Sequence, residues 1–233
     1  MRQADFRQRL DRILERVAQA AQRVGRAADE VTLIGVSKRK PIEDMQAAYA
    51  AGLRDFGENR AQEVRDKFPA FSPEGITRHF IGHLQSNKVK YLPGRVDIIQ
   101  SIDSMSIADN VDRRFGEQGL CIPVLVEVNI SGEANKEGID VSQLMELAGY
   151  CNEKTNLDFR GLMTIGPLTD DQNRIRQAFR EMKLLSNQVE RQIGGQGGKA
   201  MLSMGMSDDF EIAIEEGATH IRVGTALFGA RAY

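Results

Sequence analysis

The chain has 233 residues, room for one large domain or two small ones and close to the roughly 200–250 that an α/β barrel needs. Lys and Arg number 31 against 33 Asp and Glu, a net charge of −2, which argues against nucleic acid or a membrane surface as the main partner. Apolar residues make up 41%, enough for a real core, and no apolar run approaches the roughly 18 residues of a membrane span. Cys121 and Cys151 have no CxxC spacing and form no disulfide framework, so two reduced thiols in a cytoplasmic protein are expected.

The elements follow in chain order. In residues 1–27, Phe6, Leu10, Ile13, Leu14, Val17, Ala20, Ala21 and Val24 recur at helical spacing with charges between them. That is an amphipathic helix rather than a signal peptide, and Asp5, Asp11 and Glu15 argue against a transit peptide. VTLIGVSKRKP, residues 31–41, follows: an apolar, β-branched run that reads as a strand buried on both faces and delivers Ser37-Lys38 at its tip. Pro41 at a first helical position opens a helix that stops at Gly52. Further strands are expected at 54–57, 78–82, 96–102, 122–130, 158–165, 200–204 and 220–223. Helices are expected in NRAQEVRDKF, 104–117 and 140–155, and in a long stretch ending on Gly194 and Gly195. SDDFEIAIEEG carries an N-cap candidate at Ser207 or Asp208.

Eight strands alternating with helices imply parallel pairing and a closed (β/α)8 TIM barrel of the α/β class, a single domain with an extra N-terminal helix. The rival, an open doubly wound sheet, would usually carry a Gly-rich turn after its first strand, where this chain reads SKRKP. GGQGGK at 194–199 is the most flexible stretch, and it is too short to separate domains.

In such a barrel the C-terminal strand ends form the active face. The tips are Ser37-Lys38, Glu58-Asn59, His83, Ser101 with Asp103, Asn129, Met163-Thr164, Ser203 and Arg222 to Thr225. A lysine beside buried apolar residues is desolvated, and its neutral amine can attack a carbonyl to form a Schiff base; the bland alternative is a lysine that snorkels to the rim. Gly224 and Thr225, ahead of a short helical segment, suit a phosphate, and Ser203 can add a hydroxyl. Asp208 and Asp209 would repel one, which places the phosphate nearer the eighth strand. An aldehyde with a phosphate arm joins the two ends: pyridoxal 5′-phosphate or a sugar-phosphate aldehyde. His79 and His83, four apart on a strand, would lie roughly 13 Å apart, too far for one metal ion. His79 and His220 read as structural, His83 as a residue of the pocket mouth, and no metal site is expected.

VSKRKP, FGENRAQE, HFIGHLQSNK, SIDS, VNISGEANKEG, GLMTIG and LSMGMSDDFEIAIEEGATHIRVGTALFG occur in this order. On these motifs the chain resembles, over almost its whole length, the pyridoxal phosphate homeostasis protein family, single-barrel relatives of the alanine racemase N-terminal domain. The resemblance implies that Lys38 carries pyridoxal 5′-phosphate as a covalent aldimine and that Arg222 faces the pyridine nitrogen. It also implies that Ser203, Gly224 and Thr225 bind phosphate and that Asn59 lies near the cofactor. It nominates Lys136 to approach the phenolic oxygen.

An arginine at the ring nitrogen donates and cannot accept, which opposes pyridinium formation and weakens the electron sink. The racemases resembled here take a second acid/base, a tyrosine, from an extra β-domain. This sequence stops at Tyr233, and Tyr49, Tyr91 and Tyr150 fall in predicted helical stretches. The expectation is therefore a monomeric, cytoplasmic carrier or buffer for the cofactor, with no catalytic residue. It would contribute to intracellular pyridoxal phosphate homeostasis and hand the cofactor to apo-enzymes that depend on it. A weak amino-acid racemase and a Schiff-base aldolase acting on a sugar phosphate are the rivals.

Overall fold

A computed structural model describes residues 3–133, 136–194 and 200–229. The strands are β1 Thr32–Val36, β2 Asp55–Glu58, β3 Thr77–Phe80, β4 Ile98–Ile102, β5 Ile122–Glu127, β6 Leu157–Met163, β7 Met201–Ser203 and β8 His220–Val223. They are parallel and pair in chain order, and β1 closes on β8. The helices are α1 Gln3–Arg23, α2 Ile42–Ala50, α3 Ala61–Lys67, α4 Met105–Gly116, α5 Leu144–Asn152, α6 Gln172–Gln192, α7 Phe210–Glu215 and α8 Thr225–Phe228. Between β3 and β4 the chain forms a 3-10 helix, Ser86–Tyr91. The expected (β/α)8 barrel with an extra N-terminal helix is the architecture observed.

Alternation along the strands sorts the side chains into two layers. Leu33, Phe56, Val124, Val126, Leu202 and Ile221 face outward into the large core shared with the helices. Ile98, Leu125 and Met163 form a separate small cluster, which the alternation places inside the barrel.

Two boundaries differ from expectation in ways that matter for the site. The fifth strand, expected over 122–130, ends at Glu127. Beyond it Ile139 returns, its N–H donating to Glu127 O at 2.9 Å and its carbonyl accepting from Asn129 N–H at 2.9 Å, so the chain folds back instead of extending. The N-cap of α7 is Asp209, not Ser207 or Asp208. Asp209 Oδ1 accepts the Met206 N–H at 2.5 Å and closes a turn there before the helix starts. Gly195, most of the GGQGGK stretch and Tyr233 lie outside the described residues.

The first helix buries Phe6, Leu10, Ile13, Val17, Ala20 and Ala21. It packs on α7, α8 and α2, beside the β8–β1 seam. Phe6 meets Phe228 edge-on at 5.4 Å, and the Arg16 guanidinium lies 4.5 Å from the Phe210 ring centre. Phe6→Ala is therefore expected to lower unfolding stability by roughly 3–5 kcal/mol, as core Phe truncations do. Urea denaturation checks this; a loss under about 1 kcal/mol would mean that α1 is not part of the cooperative unit.

Candidate functional site

In β1 the outward positions are Leu33 and Gly35; a Cβ on Gly35 would meet Leu53, Leu227 and Phe228 of the surrounding layer. Ile34 and Val36 consequently point to the barrel axis, and Lys38 follows two residues past the end of the strand. On β8 the outward residues Ile221 and Val223 leave Arg222 facing the axis, in register with Ile34. Lys38 thus follows the tip of β1, the strand that pairs with the Arg222 strand, and lies nearer the mouth.

Lys38 is half-buried, above the buried Ser37. The turn after it is strained: Arg39 has φ +59°, a left-handed conformation that costs a residue with a side chain roughly 1–2 kcal/mol. Two hydrogen bonds hold it, Arg39 N–H to Glu63 Oε2 at 2.7 Å and Lys40 N–H to Ser37 O at 3.0 Å.

Beneath α3, Lys67 ties the first two strand tips together. Its Nζ donates to Ser37 O at 2.9 Å, to Glu58 Oε1 at 3.0 Å and to Glu63 Oε2 at 2.5 Å, and the Ser37 hydroxyl donates to Glu58 Oε1 at 2.7 Å. Burial pushes Glu58 up to about 7 against the pull of Lys67. Because Ser37 and Glu58 precede Lys38 and Asn59, this clamp positions both. Nothing in the spacing of the sequence had singled out Lys67.

Asn59 brings a polar atom with an open valence. Its Oδ1 is buried without a hydrogen-bond partner. A cavity of about 210 Å³ is lined by Lys38, Arg39, Asn59 and Arg60. Gly82 is required behind it, since a Cβ there would sit 2.2 Å from Asn59 O.

Arg222 anchors a polar chain across the interior. Its Nη1 donates to Ser203 Oγ at 2.6 Å and its Nη2 to Thr164 O at 2.7 Å. Ser203 Oγ donates to Gln100 Oε1 at 2.7 Å, Gln100 Nε2 lies 2.9 Å from His79 Nδ1, and His79 Nε2 lies 3.0 Å from Asp55 Oδ1. An amide donor on Nδ1 leaves the proton on Nε2, facing the carboxylate. Burial lowers Arg222 to about 10, countered by Glu127 and Asp209, so the guanidinium stays charged at neutral pH. Ser203 does stand at a strand tip, and its hydroxyl is bonded to Arg222 and Gln100. Sequence position alone did not reveal those partners.

The Gly224-Thr225 turn lies against β1: a Cβ on Gly224 would be 3.5 Å from Val36 Cβ. Leu227 N–H and Phe228 N–H donate to Gly224 O at 3.1 and 2.8 Å. The N–H groups of Thr225 and Ala226 come before the first bonds of α8, so the helix itself leaves them unfilled.

Glu127 was absent from the expected tips, where Asn129 stood for the fifth strand. It follows Leu125 on the inward face, is buried, and its Oε2 has no partner. Burial raises it from 4.5 to about 7; Arg222 pulls it down, while Asp103 and Glu137 push it up. The folded state therefore holds this proton more tightly than the unfolded state. The stabilisation is complete below 4.5 and is lost as pH rises from there to about 7. Glu127→Gln, neutral throughout, is expected to shrink the stability loss between about pH 4 and about pH 8 by roughly 3 kcal/mol. Urea midpoints of both proteins at the two pH values check it; parallel curves would refute it.

Lys136, nominated for the phenolic oxygen, is held by its neighbours: its Nζ donates to Glu133 Oε1 at 2.8 Å and to Gly166 O at 2.9 Å. His79 is the structural residue expected, while His83 Nδ1 lies 3.2 Å from Asp103 Oδ2 and 3.1 Å from Glu137 Oε2. The Tyr49 and Tyr150 hydroxyls donate to Glu74 O and to Asp109 Oδ1 in the helical layer. Among the described residues no helix is long and apolar enough to cross a membrane.

Comparison with known proteins places this geometry in context. Residues 9–232 match the family described as alanine racemase, N-terminal domain. A pyridoxal phosphate homeostasis protein of Aquifex aeolicus is 43% identical over 226 residues, covering 97% of this chain and 98% of that one. Among solved structures, one described as an unknown protein from Bifidobacterium adolescentis superposes with a TM-score of 0.91 at 35% identity, covering 97% of this chain and 95% of the other. PipY of Synechococcus elongatus, solved with PLP bound, gives a TM-score of 0.80 at 36% identity, covering 91% of this chain and all of PipY.

Proposed function

The chain belongs to the pyridoxal phosphate homeostasis protein family, within the alanine racemase N-terminal domain group, and from that premise we propose that it holds pyridoxal 5′-phosphate at the β1–β8 mouth. In this reading the cofactor is linked to Lys38 as a Schiff base, and the protein buffers it and hands it to apo-enzymes in the cytoplasm. The observation that carries the reading is the convergence on one seam of Lys38, lining a cavity just past the β1 tip, the axis-facing Arg222 and the Gly224-Thr225 turn. PLP bound to PipY supports it.

The residues fit the group. Lys38 offers an amine for an aldehyde. Arg222 offers a permanent donor for the ring nitrogen, aimed by Ser203 and Thr164 O. Gly224 and Thr225 offer backbone N–H groups and one hydroxyl for the phosphate. Asn59 Oδ1 offers a buried acceptor that a ligand donor would satisfy. Ser203 serves the site through Arg222, since its hydroxyl is already shared between Arg222 and Gln100.

When bound, the cofactor supplies an electrophilic carbonyl and an aromatic electron sink. What the protein's own groups supply favours holding over turnover. Arg222 cannot accept a proton and so keeps the ring nitrogen unprotonated. The hydroxyls of Tyr49 and Tyr150 are engaged away from the mouth, where a second base for racemisation would have to stand. Reconstitution tests this: the purified protein should turn yellow with pyridoxal phosphate, release it to an apo-enzyme, and show no turnover of alanine. Turnover of an amino acid would make it a racemase. A protein that stays colourless yet traps a sugar-phosphate aldehyde under borohydride would make it an aldolase.

A further inference from the structure

Across the mouth from Lys38, three loops bring together side chains that the preceding function does not use. His83 follows β3, Asp103 follows β4, and Glu137 lies where the loop after β5 returns. We propose that His83, Asp103 and Glu137 form a binding site for one divalent first-row transition cation at the rim of the barrel. The pairing weighed from the sequence, His79 with His83, is not this site: His79 is bonded inside the barrel to Asp55 and Gln100.

The geometry suits a metal. The three ligand atoms lie within 4.8 Å of one another, with His83 Nδ1 at 3.2 Å from Asp103 Oδ2 and 3.1 Å from Glu137 Oε2. Ligands at about 2.0–2.1 Å from a tetrahedral ion stand about 3.3 Å apart, so these edges need little movement to close on one. Both carboxylates converge on a single ring nitrogen, which carries at most one proton and cannot satisfy two acceptors fully.

A second observation comes from outside the cluster. Glu127 is only 2% exposed, its Oε2 has no partner, and it lies within the electrostatic reach of both Asp103 and Glu137. Three carboxylates thus crowd one side of the mouth. Arg222 acts on Glu127, but the groups acting on Asp103 are His83, Ser104 and Glu137, with no lysine or arginine among them. Lys136, next in sequence to Glu137, is paired with Glu133 instead. A divalent cation supplies the positive charge that this arrangement lacks.

One imidazole and two carboxylates suit Zn²⁺ or Mn²⁺ better than Ca²⁺, which takes oxygen ligands throughout. The His83 and Glu137 side chains are 43% and 55% exposed, so water completes the coordination and the ion exchanges with solvent. A bound ion would tie the loop after β5 to the tips of β3 and β4.

The site does not rest on the pyridoxal phosphate reading, and its test is separate. Zn²⁺ is titrated calorimetrically into the full chain carrying Cys121→Ser, which removes the exposed thiol as a competing ligand. Mn²⁺ binding is followed by electron paramagnetic resonance. One ion per chain is expected, with His83→Ala and Glu137→Gln each weakening binding at least about tenfold while the circular dichroism spectrum is unchanged. No saturable binding of either ion, or binding within about threefold of the parent in either variant, overturns the proposal.

Discussion

Lys38→Ala is expected to abolish the yellow colour that pyridoxal phosphate imparts and to leave nothing that borohydride can trap on residues 31–41. Affinity should fall by about a hundredfold or more, roughly 2.7 kcal/mol, since only the phosphate and ring contacts would remain. The fold should persist, because Lys38 sits half-buried on a turn rather than in the core. Absorbance titration, peptide mapping after reduction and a urea midpoint measure the three parts. Trapping of the cofactor in the variant at undiminished yield would move the covalent link to another residue. Lys67→Ala provides a graded comparison: it releases the clamp on the β1 and β2 tips and should weaken binding while leaving the site of trapping unchanged.

Arg222→Ala should lower stability by about 3–5 kcal/mol, the usual result of removing one partner from a buried charged network. It removes the donor to the Ser203 hydroxyl and the Thr164 carbonyl, and it takes away the positive charge that acts on Glu127. For a chain of this size that corresponds to a melting point lower by roughly 10 °C. Arg222→Lys should recover only part of it, because one ammonium cannot reproduce a planar fork reaching two strands. Adding Glu127→Gln to Arg222→Ala should recover some stability, since no carboxylate then needs the lost charge. Calorimetry on the four proteins checks the set, and a loss under about 1 kcal/mol in Arg222→Ala would show that the interior chain contributes little.

Much of the architecture was legible along the chain. Strand alternation and helix periodicity are local properties, and eight such units in strict order leave few topologies besides a closed parallel barrel. The same pattern brought Lys38 to a tip, because a strand buried on both faces must end where its first charged residue appears. Gly224 and Thr225 were readable for a similar reason, as the residues that follow the eighth strand, where Gly224 caps and Thr225 opens a short helix.

The direction and partners of the remaining site groups were not legible. Asn129 looked like the fifth tip because the apolar run continues to Ile130, yet the return of Ile139 ends the strand at Glu127. Ser203 was placed correctly at the end of β7, but its hydroxyl is directed by Arg222 and Gln100, 19 and 103 residues away in sequence. Lys67 reads as an ordinary surface lysine of an amphipathic helix until α3 packs over Ser37 and Glu58.

By itself, then, the sequence determined the barrel, its order and the residues at most of its strand tips, because these follow from short-range periodicity and turn chemistry. Only the tertiary structure decided which tips point inward, which carboxylates crowd one another and which are neutralised. Those outcomes depend on closure of the barrel, which sets side chains from distant strands within hydrogen-bond reach in a dry interior where an unmatched charge is costly.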